Sequence, residues 1–292
     1  MFKKETYINR RQQLAKDVEK GILLFIGNGE SPMNYPDNTY RYRQDSTFNY
    51  FFGLIHPDLA AIIDVETGEE TIYGDDYTID HIVWMGVQPN ISDRAKSSGV
   101  GKTGTTAQLV KDLEKAKAAG RQIHFLPLYR GDSKIKLFEY IGVKPSEIPE
   151  KHSLEFVKAV IKQRNYKSAE EVAEIDKACD ITVDMHLAAM RFTRPGMLEA
   201  QVAAEVEKIA LAHDGCVSFP VIATINGQTL HNHYHGHIIQ EGQMFLLDAG
   251  AETTSGYAGD MSSTYPVGKT FTTRQKEIYQ VALNSHESAI AM

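Results

Sequence analysis

Phe245-Leu246-Leu247 runs directly into Asp248, and Gly256-Tyr257-Ala258-Gly259 runs into Asp260. An ionised carboxylate inside an apolar strand pattern is costly unless something offsets its desolvation. If the two stretches form a hairpin turning near Thr254, the aspartates fall opposite each other, with Cβ atoms about 5 Å apart. Like charges at that spacing repel, and a multivalent cation between them removes the repulsion. Hard carboxylate oxygens suit Mn or Mg, and with an added histidine also Zn or Co. The competing reading is a pair of turn or edge residues in water, and spacing leaves both open.

A second row, His231-Asn232-His233-Tyr234-His235-Gly236-His237, would place four histidines on one face of a strand. No Cys or carboxylate is interleaved to complete a tetrahedral zinc set, so the row reads as a solvent-facing strand surface with at most one working member. Gly99 to Thr106 lacks the spacing of a phosphate-binding loop, and no Gly-x-Ser-x-Gly elbow occurs. Cys179 falls in a helical pattern and is expected to pack. Tyr40-Arg41-Tyr42-Arg43-Gln44 is a single basic–aromatic run in an acidic protein, expected at a packed or interface segment.

The elements that must position these groups follow from periodicity and punctuation. Tyr7 to Val18 predicts a helix, Ile22 to Ile26 a buried strand, and Gly27 to Asp37 a loop. Leu59 to Val65 and Glu70 to Tyr73 predict a hairpin, Thr106 to Lys117 a helix, and Gln122 to Leu126 an extended segment. A linking helix is expected over Ser153 to Arg164. Ser168 with Glu171 then opens a helix ended by Pro195-Gly196, followed by a second over Leu198 to His213. Extended segments are expected at 218–225, 231–239, 244–252 and 257–267. Thr272 and Gln275 cap a last helix that reaches Ala291 with no Gly, Pro or basic stop signal. The expectation is a chain ending within its second domain, the alternative being a natural C-terminal helix.

At 292 residues, with 42% hydrophobic and 24% charged residues, the chain is long and apolar enough for two folded domains. A net charge of −7 argues against a general nucleic-acid or anionic-membrane surface. The two cysteines, Cys179 and Cys216, are too few for a disulfide framework. Met1 to Arg11 has no apolar core of a secretory signal and no stretch approaches the ~18 apolar residues of a membrane span, so a cytoplasmic protein is expected.

In chain order, Lys167-Ser168-Ala169-Glu170-Glu171, Arg194-Pro195-Gly196-Met197, Asn226-Gly227, Leu230-His231, Leu247-Asp248-Ala249-Gly250 and Gly256-Tyr257-Ala258-Gly259-Asp260 resemble the pita-bread metallopeptidases. Within them the pattern is most similar to the aminopeptidase P family, the Xaa-Pro aminopeptidases. Tyr42-Arg43-Gln44-Asp45-Ser46, Phe48 and Tyr50-Phe51-Phe52-Gly53 are similar to that family's N-terminal domain. The resemblance implies an α/β creatinase-like domain over residues 1–160. It then implies the first half of an α+β pita-bread catalytic domain over 161–292, left incomplete.

The resemblance further implies two divalent cations, Mn being the expected metal, held by two Asp and then by one His and two Glu further on. Asp248 and Asp260 match the two Asp positions, the second bridging both metals. His231 matches a catalytic histidine that contacts substrate near the scissile bond. Asp37 and Trp84 match positions through which the N-terminal domain of a neighbouring subunit touches substrate, which implies a homo-oligomer. The implied reaction releases the residue before proline from peptides with proline in second position, by a metal-bridged hydroxide. The X-Pro bond lacks an N–H, so a shaped pocket for the ring can turn a missing donor into selectivity. His286 and Glu287 match none of the later ligands, so this chain alone is expected to bind metal weakly or not at all and to be inactive. Prolidase, cleaving dipeptides, and a non-catalytic pita-bread binding protein are the alternatives. A metal-free creatinase-like hydrolase is disfavoured by Asp248 and Asp260.

Overall fold

The computed structural model describes every residue except Lys269 and divides the chain into two compact units, Met1–Ser168 and Ala169–Met292. The division falls after residue 160 because the helix Leu154–Arg164 belongs with the first unit, where Phe156, Ala159 and Val160 enter its core. Among the described residues no helix is long and apolar enough to cross a membrane.

In the first unit a five-stranded mixed sheet runs in the order Lys102–Gly104, Glu70–Tyr73, Ala60–Asp64, Ile22–Ile26, Ile123–His124. Every residue of Ile22–Ile26 is buried. That is the reason for its unbroken apolar run: Leu23 and Phe25 face one core, and Ile22, Leu24 and Ile26 face the other. Ala60–Asp64 and Glu70–Tyr73 form the expected hairpin, Ala61 opposite Ile72. The expected loop over 27–37 instead contains a short strand, Pro32–Tyr35, paired with Asn38–Thr39. Its residues are exposed, so no burial pattern marked it in the sequence.

Arg11 ties this unit together. Its fully buried guanidinium donates to Glu70 Oε2 at 2.8 Å, to the Phe51 carbonyl at 2.8 Å, and to the hydroxyl and carbonyl of Ser98 at 3.2 and 3.0 Å. One side chain thus joins the helices Lys4–Asp17, Ser46–Phe52 and Ile91–Ser97 to the sheet. Burial pulls the Arg11 pKa down and the Glu70 pKa up, and each partner's charge opposes the other's shift. The pair is therefore held by its hydrogen bonds as much as by charge.

The second unit stacks the helices Ala169–Phe192 and Glu199–Ala212 on one face of a three-stranded sheet. The strand order is Met261–Pro266, Met244–Ala249, Ile222–Thr224, all antiparallel. Phe245, Leu247 and Ala249 point into the core, whereas Met244, Leu246 and Asp248 point to the other face, the alternation expected of a sheet covered on one side. The terminal helix, Thr273–Ala291, begins with the expected reciprocal Thr272–Gln275 cap and buries none of its residues.

Arg11→Ala should destabilise the first unit by about 3–5 kcal/mol, because it leaves the Glu70 carboxylate and two backbone carbonyls without their donor. Urea unfolding followed by Tyr and Trp fluorescence checks this. A loss within experimental error of an exposed substitution would show that Arg11 does not organise the unit.

Candidate metal and substrate site

Asp248 lies in the central strand and pairs in register with Ser262, not with Asp260. The same register continues past the strand ends, since Gly259 N–H donates to the Ala251 carbonyl at 2.8 Å and Glu252 bridges Ala258. Asp260 therefore falls opposite Gly250, diagonal to Asp248 on one sheet face, at the ~7–8 Å spacing of diagonal neighbours. This corrects the face-to-face pairing expected from a turn at Thr254. The turn is centred one residue later, on Ser255, where Gly256 N–H donates to the Thr253 carbonyl.

The two aspartates still share a face. Asp248 is half-buried and Asp260 exposed, and among the described residues neither carboxylate has a hydrogen-bond or ion-pair partner. Two negative groups on one side of a sheet present hard oxygen donors to a divalent cation. The donor set fits such an ion in part: among the described residues no group of three or more His, Cys, Asp or Glu side chains converges on one point. A hollow of about 620 Å³ opens beside this face, bounded by Ser262, Thr264, Ile278, Tyr279 and His286.

Residues outside the sequence-predicted set position the aspartates. Gly250 and Gly259 face each other so closely that a Cβ on Gly250 would run into the Gly259 carbonyl. A Cβ on Gly259 would strike the Thr182 hydroxyl and the Ala178 carbonyl of the overlying helix. Thr182 Oγ1 accepts from Ala251 N–H at 3.0 Å, and Ser218 donates to the Gly259 carbonyl at 2.9 Å. Buried His186 reaches from the same helix to both strands, 3.2 Å from the Ala249 carbonyl and 2.7 Å from Ser263 Oγ. A carbonyl only accepts, so Nε2 carries a proton toward Ala249, while Nδ1 faces the Ser263 hydroxyl. The turn between the strands is held by Glu174, which accepts from Thr253 at 3.1 Å and from Ser255, and by buried Glu171, which accepts from Tyr257 at 2.9 Å. The Ser255 and Thr253 hydroxyls hold the Glu174 carboxyl below its ordinary pKa against the opposing effect of burial.

The histidine row is not a strand. Residues 226–237 form an irregular loop after the strand Ile222–Thr224, and only Ile238 makes a bridge, to Leu198. His231 and His233 are exposed at its tip, whereas His235 bonds the Val221 carbonyl at 3.0 Å and His237 bonds Glu199 at 2.8 Å. The four rings therefore have different surroundings, and the shared face expected of a strand is absent because the backbone bends to reach Glu199. Asp37 and Trp84 belong to the first unit. Asp37 sits exposed in the turn after Pro32–Tyr35, and Trp84, 86% exposed, lies on the helix Ile79–Met85, none of whose residues is buried.

Comparison with known proteins agrees with this architecture. The family described as aminopeptidase P, N-terminal domain, matches residues 7–124, and metallopeptidase family M24 matches residues 173–292. The Xaa-Pro aminopeptidase of Escherichia coli (strain K12) is 26% identical, over 99% of this chain and 68% of that protein. The Xaa-Pro dipeptidase of Homo sapiens is 24% identical, over 94% of this chain and 56% of that protein. The structure of E. coli aminopeptidase P superposes over 100% of this chain and 69% of its own length, with a TM-score of 0.86 at 24% identity. Pseudomonas aeruginosa aminopeptidase PepP superposes over 99% and 67%, with a TM-score of 0.85 at 24% identity. These likenesses fix the fold as an aminopeptidase P N-terminal domain followed by part of an M24 pita-bread domain. The chain belongs to the aminopeptidase P family, a family of metallo-aminopeptidases that use divalent metals.

Gly259→Ala should cost about 1–3 kcal/mol, the usual range for forcing atoms into a filled site, and should shift the backbone that carries Asp260. Urea unfolding with amide NMR of residues 258–262 measures both, and an unperturbed spectrum would contradict the close approach. For Glu174 the pH dependence has a fixed sign. A carboxyl lowered in the folded state contributes stability above its unfolded value, about 4.3, and loses it as pH falls through the lowered folded value. The stability gap between wild type and Glu174→Gln should thus be full at neutral pH and close in acid. A gap that widens in acid would refute the assignment.

Proposed function

We propose that this chain carries part of the active site of a metal-dependent Xaa-Pro aminopeptidase, which releases the residue preceding a proline. The observation that supports this most directly is the pair of carboxylates, Asp248 and Asp260, on one sheet face and unpartnered among the described residues, in a chain whose two halves both match the family. Asp248 and Asp260 would hold divalent metal, Mn being the ion we favour. The metal, when bound, supplies Lewis acidity and lowers the pKa of water at the scissile carbonyl.

The chain's own residues then have separable tasks. His231, exposed on its loop, would hydrogen-bond the peptide. Asp37 and Trp84, both exposed, are assigned to peptide contact from a neighbouring subunit, which makes a homo-oligomer the working form. The human Xaa-Pro dipeptidase among the relatives supports a second reading, in which dipeptides alone are cut. Comparing Ala-Pro with a longer Ala-Pro peptide separates the two.

With two carboxylates brought together among the described residues, this chain by itself should bind Mn²⁺ only weakly, with a Kd on the order of 10⁻⁴ M or weaker. Electron paramagnetic resonance titration reads that directly. Asp260→Asn and Asp248→Asn should each weaken binding further, and little Xaa-Pro turnover is expected even with excess Mn²⁺. If both variants bind Mn²⁺ as the wild type does, the aspartates are not the metal site. Turnover at enzymatic rates by the chain alone would show that two carboxylates suffice.

A further inference from the structure

The loop that carries His231 has almost no ladder pairing, yet its two limbs converge on one side chain. Glu199, the first residue of the helix Glu199–Ala212, is 0% exposed. On the incoming limb its carboxylate accepts from the Thr224 hydroxyl at 2.9 Å and the Ile225 N–H at 2.8 Å. On the outgoing limb it accepts from His237 Nδ1–H at 2.8 Å and the His237 N–H at 3.3 Å. The amides that open the helix add to the same limb, Glu199 N–H donating to the His237 carbonyl at 3.1 Å and Ala200 N–H to that of His235 at 3.0 Å.

The network extends to the histidine's neighbour. The Thr224 hydroxyl, fully buried, accepts from Asn226 N–H at 3.0 Å and from Asn232 Nδ2 at 3.1 Å. Asn226 Nδ2 stands 3.4 Å from His237 Nε2, closing a ring of polar contacts. An acid in the first turn of a helix ordinarily sits in water and gains from the helix dipole there. Burying it is tolerable only when its lone pairs are filled, and here all four partners come from the ends of one loop. Core packing alone needs no such group, since an apolar residue at 199 would avoid the desolvation altogether.

We propose that Glu199 is the positioning residue of the His231 loop. Its carboxylate locks both limbs and, through Thr224 and Asn232, sets the backbone from which His231 meets the peptide. The proposal rests on His231 as a substrate contact, and its test is arranged so that the two can fail separately.

Hydrogen exchange by mass spectrometry on the 292-residue chain is the primary measurement. Glu199→Ala should speed exchange of amides 226–237 about tenfold or more, the effect of unpairing a buried hydrogen-bonded group, while the strand Met244–Ala249 keeps its protection. Equal acceleration in both segments would make Glu199 a residue of global stability, and no acceleration would remove its role; either overturns the proposal. Should Glu199→Ala not fold, Glu199→Gln and Thr224→Val take its place. The glutamine keeps one acceptor oxygen, so the incoming limb should stay protected while 235–237 opens, and the valine should loosen 226–232. Uniform acceleration in these variants, or none, overturns the proposal in the same way. Binding of Pro-Leu, which inhibits the E. coli relative, supplies the second readout. With Mn²⁺ present, Glu199→Ala and His231→Ala should each weaken it, and the double variant should be no weaker than His231→Ala. Additive losses would show that Glu199 does not act through His231. If the wild-type chain does not bind Pro-Leu, the peptide site is refuted and the exchange data still decide what Glu199 does.

Discussion

Gly250 and Gly259 meet where the two aspartate-bearing strands pass beneath the helix Ala169–Phe192, and neither position has room for a side chain. The meeting point locks three things at once. Ala251 N–H bonds the Thr182 hydroxyl of the helix, Gly259 N–H bonds the Ala251 carbonyl across the strands, and Ser218 bonds the Gly259 carbonyl from the far side. A slip of one residue would turn Asp248 into a core of Phe245, Leu247, Val206 and Met185 and expose the leucine instead. The placement of the aspartates is therefore a consequence of backbone contact next to them, not of anything the carboxylates do for each other.

Buried polar groups carry out the rest of the positioning. His186, Glu199, Glu171 and Thr182 are each buried, and each spans two elements that the apolar core alone would allow to slide. A hydrophobic core is tolerant of small translations, whereas a satisfied hydrogen-bond network in a low-dielectric interior is not. Asp248, Asp260 and His231 lie at or near the surface and, among the described residues, lack such partners. The division is physical: a side chain left open to solvent cannot also hold the scaffold.

The first unit likewise contrasts a packed sheet with exposed segments outside it. Its centre is fully packed, with Phe25 edge-on to Phe52 at 5.2 Å and to Phe156 at 5.1 Å, and Arg11 crosses beside it. Against that base, the turn bearing Asp37 and the helix bearing Trp84 are almost wholly exposed. Ile79, Val83, Trp84 and Met85 give that helix apolar surface on every side, a composition that a solitary surface helix does not require.

Much of this architecture was legible in the residues. The unbroken run Ile22–Ile26 signals burial on both faces, and alternation through Met244–Ala249 signals burial on one. Thr272 with Gln275 marks a helix start, and the ordered motifs from Arg194-Pro195-Gly196 to Gly259-Asp260 mark the family. These are local or linear signals, and a chain of L-residues expresses them through hydrogen-bond period and side-chain direction alone. Register, loop path and the burial of charge were not legible. A period of two shows which side chains share a face but not which residue stands opposite, so the pairing of Asp248 with Ser262 needed the contact at Gly250 and Gly259. The histidine row had the alternation of a strand, yet Glu199 draws its limbs into a loop. An acid near a helix start looks solvent-exposed in sequence, and its burial depends on partners 25 to 38 residues away. Sequence determined the elements and the kinship; only tertiary contact decided register and which polar groups went inside, because both depend on atoms that meet across the fold.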